Sequence, residues 1–246
     1  MELTLVTWNI HSGVGTDGVF SLERIASVLR EIAPDVIALQ EVGDFRDKTA
    51  RADHAEHLAR LLDRNLAFGP NLTRGARPYG NALLTRFPIR HHRNDDLSYK
   101  RAEPRGALRC DLEIAPGELL HVVSVHLGLG PRERKAQEKL LLETELLRGP
   151  ARDPVVLCGD WNYLGTGRVA SFAARGLDDA ALSLGSAQRT CPSPLPVFRF
   201  DRVFTNALVT PLAVRVHETR ASDHLPLVFR FAAQAAARAT SSASSR

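Results

Sequence analysis

The chain reads as an α/β fold in which two β-sheets pack together with helices outside. Short apolar runs such as Val36-Ile37-Ala38-Leu39 and Val155-Val156-Leu157-Cys158 mark buried strands. Amphipathic helical stretches occur in both halves, so each half brings strands and the helices to cover them. No internal repeat and no linker of domain-separating composition interrupts the 246 residues, a length layered folds accommodate as one unit.

Leu3 to Asn9 is the first buried strand, with its polar end at Asn9. A Gly-rich loop from His11 to Gly18 follows. Ser21 then caps a helix whose apolar face is Leu22, Ile25, Val28, Leu29 and Ile32, and Pro34-Asp35 ends it. The second strand, Val36 to Val42, carries Glu41 near its end, and a second amphipathic helix runs from about Thr49 to Leu62. Tyr79 to Arg86, Arg105 to Ile114 and Leu119 to His126 form a meander, broken by Pro88, Pro104 and the turn Pro116-Gly117. A charged helix spans Pro131 to Arg148, with Pro131 suited to its first turn. Pro154 to Asp160 is a strand, Val169 to Ala174 a short helix and Cys191 to Pro196 a Pro-rich loop. Strands at Phe198 to Phe204, Ala207 to Val216 and Leu225 to Phe231 close the domain, 1–231. Residues 232–246 are an Ala/Ser-rich tail with little to bury, expected to be disordered.

Hydrophobic content of 44% and charged content of 24% are those of a soluble globular protein. No apolar run approaches a membrane span, and Met1 to Val6 lead directly into a strand, so a cytoplasmic location is expected, without stable membrane insertion. Cys110, Cys158 and Cys191 have neither CxxC spacing nor an even count, which disfavours disulfides or structural zinc and makes them small buried residues. The net charge of +4, nearly all arginine, suits an anionic substrate but decides nothing alone.

Four polar clusters end apolar strands, Asn9 with His11, Glu41, His126, and Asp160 with Asn162, and a fifth, Asp223 with His224, precedes the last strand. Each has an ordinary alternative. Glu41 could pair with an arginine, and Asp-x-Asn and Asp-His are common turn chemistry. Together they suit phosphate-ester chemistry. Glu41 needs a partner that a hard cation would satisfy, with Asn9 and Asp223 as further oxygen donors. Asp160 could activate a water while Asn162 donates to a phosphoryl oxygen. His126 and His224 could bind phosphate, one transferring a proton if Asp201 fixes its tautomer. Nucleophile-elbow, Walker A and HExxH patterns are all absent. His54 and His57 lie three apart on the second helix, read as a solvated face.

The ordered set Trp8-Asn9-Ile10-His11, Gln40-Glu41, Gly80-Asn81-Ala82-Leu83-Leu84, Glu103-Pro104-Arg105-Gly106, His126, Gly159-Asp160-Trp161-Asn162, Asp201-Arg202 and Ser222-Asp223-His224 resembles the endonuclease/exonuclease/phosphatase family. The likeness runs from residue 4 to about 231 and is closest to its compact bacterial branch. It implies a four-layered α/β/β/α sandwich, two mainly antiparallel sheets face to face with helices outside, and magnesium-dependent hydrolysis, manganese being a possible substitute. It makes Glu41 the main metal ligand, with Asn9 and Asp223 nearby. Asp160, Asn162, His126, His224 and Asp201 become catalytic, and His11, Asn81 and Arg105 contacts to substrate. Arg202 stands where the family often has Tyr, and His11 where some nucleases have an acid.

The function expected is a metal-dependent phosphodiesterase acting on nucleic acid or a phospholipid headgroup, with a monomer favoured. Arg74, Arg77, Arg90, Arg93, Arg101 and Arg105 are candidate contacts to an anionic lipid surface. A phosphomonoesterase of a small ligand, or a non-catalytic phosphate-binding protein on the same fold, are the alternatives.

Overall fold

The computed structural model describes residues 1–43, 53–74, 77–147, 152–165 and 169–234. Twelve strands form two six-stranded sheets. The first has the order β11-β12-β1-β2-β4-β3 and the second β5-β6-β7-β8-β10-β9. The strands of the first sheet are β1 (Glu2–Asn9), β2 (Val36–Val42), β3 (Asn65–Arg74), β4 (Arg77–Thr85), β11 (Val209–Val216) and β12 (Leu227–Ala233). The second sheet comprises β5 (Ile89–Asp96), β6 (Gly106–Ala115), β7 (Glu118–His126), β8 (Val155–Asp160), β9 (Asp178–Asp179) and β10 (Asp201–Thr205). Helices α1 (Leu22–Ile32), α2 (His54–Leu62), α3 (Pro131–Leu142), α4 (Ala170–Ala173) and α5 (Ala180–Ser183) lie between strands in the chain.

Three apolar clusters show the layering. One, including Leu5, Leu83, Leu108, Val122 and Phe229, fills the space between the sheets. A second packs Val6, Trp8 and Leu39 against Ile25 and Leu29 of α1 and Leu58 of α2. The third joins Val123, Val125 and Leu157 to Leu141 of α3 and Phe172 of α4. The four-layered sandwich is therefore present, with one core between the sheets and one under each helical layer. Polar ties cross the central core: Gln40 Nε2 donates to Ser124 Oγ at 3.0 Å, and Asn81 Nδ2 to the carbonyl of Gly106 at 3.1 Å.

Local signals account for most ends. Ser21 Oγ accepts the Arg24 N–H at 3.1 Å, and Ala33, left-handed at φ 50°, closes α1. Three strands escape sequence reading, β3, β5 and the two-residue β9, and all lie at sheet edges. Gly69-Pro70 interrupts β3, a breaker pair that an edge strand absorbs in a bulge between Pro70 and Leu72. In β5, Ile89 precedes seven polar residues, a composition that guards an exposed edge against pairing with other chains.

Other expectations need correction. The helix from Pro131 stops at Leu142, not Arg148, with turns beyond it. The second helix begins at His54 behind its Asp53 cap, and residues 49–52 fall outside the described residues. His54 is buried against Phe20, not solvated, while His57 faces Glu23 at 3.2 Å. Cys191 is only half-buried, in contrast to Cys110 and Cys158. β12 continues through Ala233, so two residues assigned to the tail belong to the sheet; residues 235–246 lie outside the described set.

Candidate active site

β1 runs parallel to β2, and β7 parallel to β8, so Asn9, Glu41, His126 and Asp160 all stand at C-terminal strand ends. β10 runs antiparallel to β8 and pairs Asp201 with Asp160. His224 arrives from the loop before β12. Trp8 Nε1 donates to its carbonyl at 2.8 Å, and Ser222 Oγ donates to the carbonyl of Asn9 at 2.8 Å, pinning that loop to the end of β1.

Unusual backbone makes room for this convergence. Glu41 is left-handed, φ 56°, where the pairing of β2 with β4 slips between Leu39 and Val42. A non-glycine residue is costly there, so the strain is held by the surrounding sheet. Gly159 has φ 141°, and a Cβ on it would stand 1.9 Å from the carbonyl oxygen of Val125 on β7. Gly159→Ala should therefore destabilise the fold by several kcal/mol, seen as a Tm lowered by roughly 10 °C or more; an unchanged melt would contradict the close approach of β7 and β8.

Asp160 is the centre of the site and is buried. Its Oδ1 accepts the N–H of Asn162 at 3.0 Å. Its Oδ2 accepts from Asn9 Nδ2 at 3.1 Å and lies 3.6 Å from His126 Nε2 and 3.8 Å from His224 Nε2. The last two distances are too long for direct hydrogen bonds, leaving both imidazoles able to bond an oxygen seated among them. Burial, partly offset by His224, pushes the Asp160 carboxyl up to about 6.

The histidines are held in different states. Burial, then the Arg105 and His224 charges, lowers the pKa of His126 well below its ordinary value, so the ring is neutral. Arg105 Nη1 donates to its Nδ1 at 3.3 Å, which places the proton on Nε2, toward Asp160. Burial also opposes charge on His224, but the Asp201 carboxylate, 2.8 Å from Nδ1, outweighs it and raises the pKa well above the ordinary value. One imidazole is thus a neutral donor and the other a cation.

Several expected contacts spend their hydrogen bonds elsewhere. Asn81 is buried, with Nδ2 tied to the carbonyls of Gly106 and Ser124, so it braces the two sheets and does not face substrate. Arg105 is also buried, paired with Glu103 at 2.7 Å and with His126, and acts through that imidazole. Asn162 Nδ2 donates to the carbonyl of Leu127 at 2.9 Å. Asn9 Oδ1 accepts the His11 N–H at 3.0 Å, so its Nδ2 is the group turned to the acids. His11 and Asp223 are half-buried at the rim, Asp223 Oδ1 lying 3.2 Å from Ser222 Oγ. Tyr79 was not singled out in the sequence. Its hydroxyl bonds the Glu41 carboxylate, and burial together with that charge raises its pKa. A lone tyrosine beside Gly80-Asn81 gives no signal of this.

Three of the arginines considered as lipid contacts have partners within the protein. Arg90 and Arg93 lie on β5 and pair with Glu113 and Asp95, and Arg105 is buried.

The family profile for the endonuclease/exonuclease/phosphatase family matches residues 6–224, which include every site residue described above. The chain belongs to this family. Members of the family are generally hydrolases of phosphate esters. Among relatives, the uncharacterized protein YbhP of Escherichia coli is 33% identical over 240 residues, 91% of this chain and 93% of YbhP. An endonuclease/exonuclease/phosphatase from Beutenbergia cavernae superposes with TM-score 0.76 at 25% identity, over 96% of this chain and 72% of that one. The mannosyl-6-phosphatase of Bacteroides thetaiotaomicron shares the fold, with TM-score 0.71 at 16% identity over 94% and 99%.

Enzymes of the endonuclease/exonuclease/phosphatase family typically use divalent metals. Among the described residues no three His, Cys, Asp or Glu side chains make a metal cage. The donor set nevertheless fits a hard cation that keeps most of its waters. Glu41 is a half-exposed carboxylate whose Oε1 accepts from Asn9 Nδ2 at 2.9 Å, and the same nitrogen bonds Asp160, so two acids flank one amide.

Proposed function

We propose that the protein is a divalent-metal-dependent phosphodiesterase in which water attacks phosphorus in line with the leaving oxygen. The observation that carries this reading is the pair of buried imidazoles whose Nε2 atoms lie 3.6 and 3.8 Å from a single buried carboxylate oxygen, one ring held by Arg105 and the other by Asp201. Ionised Asp160 takes a proton from the attacking water as the new P–O bond forms and the bond to the leaving oxygen breaks. His126 Nε2 and His224 Nε2 donate to the phosphoryl oxygens, where negative charge grows. Asp201 holds the charge on His224, and Arg105 holds the tautomer of His126. A magnesium or manganese ion on Glu41 would neutralise charge on the phosphoryl and leaving oxygens.

One cationic imidazole among neutral donors matches the single charge of a diester better than the double charge of a monoester. The reading is tested by hydrolysis of a chromogenic phosphodiester beside its monoester, with magnesium and with chelator. Diester turnover abolished by chelator is the expected result. Monoester turnover alone would replace the reading with a phosphatase, and silence on both would reject catalysis on simple esters.

A further inference from the structure

Among the described residues, seven of the eleven exposed large hydrophobic side chains lie in loops at the catalytic end of the sheets. Val19 and Phe20 follow β1, Leu129 follows β7, Leu164 follows β8, and Leu195, Val197 and Phe198 precede β10. The three most exposed are Leu129 at 74%, Leu195 at 73% and Leu164 at 69%. The apolar rim continues into the site, since Phe198 stacks on Phe200 at 5.1 Å and Phe200 lies 6.0 Å from the ring of His224. Beside Leu129 a cleft of about 500 Å³, whose lining includes Tyr99, Lys100, Pro131, Arg132 and Glu133, sets two exposed cations and one half-buried acid at the same rim.

A set of aliphatic side chains spread over four loops around one mouth is not explained by folding, because solvent exposure gives them no stabilising burial. Whatever covers them must also deliver a phosphate ester to Asp160. Nucleic acid presents phosphates but no aliphatic surface for leucines. A phospholipid layer presents both, with anionic headgroups to meet Lys100 and Arg132 and acyl chains to receive the rim. The geometry points to a membrane surface as the partner of this face and to a phospholipid headgroup ester as the substrate class. The docking surface stands on the exposed leucines and the two rim cations, whereas the substrate class rests on the phosphodiesterase reading.

The test compares wild type with the triple variant Leu129→Asp, Leu164→Asp, Leu195→Asp by co-sedimentation with phosphatidylcholine vesicles, with and without phosphatidylglycerol. Each leucine lost from the interface should weaken partition about tenfold, so the triple variant should bind about a thousandfold less. Its melting temperature and its turnover of the soluble chromogenic diester should stay at wild-type values. Lys100→Glu with Arg132→Glu should lower binding only where phosphatidylglycerol is present. Release of water-soluble phosphate ester from vesicles by wild type, lost in the triple variant, completes the expected result. Wild type that fails to sediment, or a triple variant that sediments equally, overturns the docking surface. Binding of single-stranded oligonucleotide that the leucine changes abolish, without vesicle binding, assigns the face to nucleic acid and also overturns it. If neither protein hydrolyses the soluble diester, the phosphodiesterase reading and the substrate class fall, and sedimentation still decides the docking.

Discussion

Asp160→Asn is expected to lower kcat/KM for a phosphodiester by at least about a thousandfold, with KM changed little. Asn keeps the shape of the side chain but has no charge with which to take a proton from water. It also puts an amide nitrogen on one of two oxygens that accept N–H groups from Asn162 and Asn9, so one hydrogen bond is replaced by two opposed donors. Because burial pushes the carboxyl up to about 6, the wild-type rate should fall about tenfold per unit below that pH. The variant should lose this acid limb. Stability follows the opposite course: with a folded pKa above the unfolded value of about 3.9, Asp160 contributes fully below about pH 4, and that contribution is lost as pH rises through about 6. A variant retaining a tenth of wild-type activity, or a wild-type profile flat from pH 5 to 8, would remove Asp160 as the base.

Asp201→Asn should cost about a hundredfold or more in kcat through His224, which it contacts at 2.8 Å. Without that carboxylate, burial prevails and the imidazole loses its proton at a lower pH. The alkaline limb of the rate profile should therefore move to lower pH, and KM for the anionic substrate should rise as the cation is lost. Linkage gives the matching stability change. The raised His224 pKa means that the pair's contribution is full below about pH 6.5 and is lost as pH rises through the folded-state value, so wild type and variant should converge in Tm at high pH. A purely structural role for Asp201 would lower Tm at every pH and leave the alkaline limb where it was.

The sequence displays Asp160 because it is a polar group at the end of an apolar run, whereas Asp201 opens its strand and is marked only as a partner for a histidine. A strand such as Val155 to Asp160 has no reason to end in a buried acid unless something needs it there. Motif position says less about where a side chain spends its hydrogen bonds. Asn81 and Arg105 sit in motifs as specific as those of Asp160, yet one ties two strands and the other steadies an imidazole. Tyr79 was invisible for the converse reason, since its partner Glu41 is remote in sequence and brought near only by the bulge in β2. The fold was read from its interior strands. β3 and β5 were missed because edge strands are selected for polarity and interruption, which erases the signal that reveals the inner ones.

The polar ties across the central core bear on how the molecule fails. Asn9 and Glu41 belong to one sheet, and His126, Asp160 and Asp201 to the other, so the site is a seam between two rigid plates. Apolar packing resists separation of the plates but, being non-directional, offers less resistance to their sliding. The bonds from Gln40 to Ser124 and from Asn81 to Gly106 act as dowels through that seam. The protein thus has a shear coordinate besides its unfolding coordinate, and a slip of about an ångström along it would scatter the site residues while both sheets stayed intact.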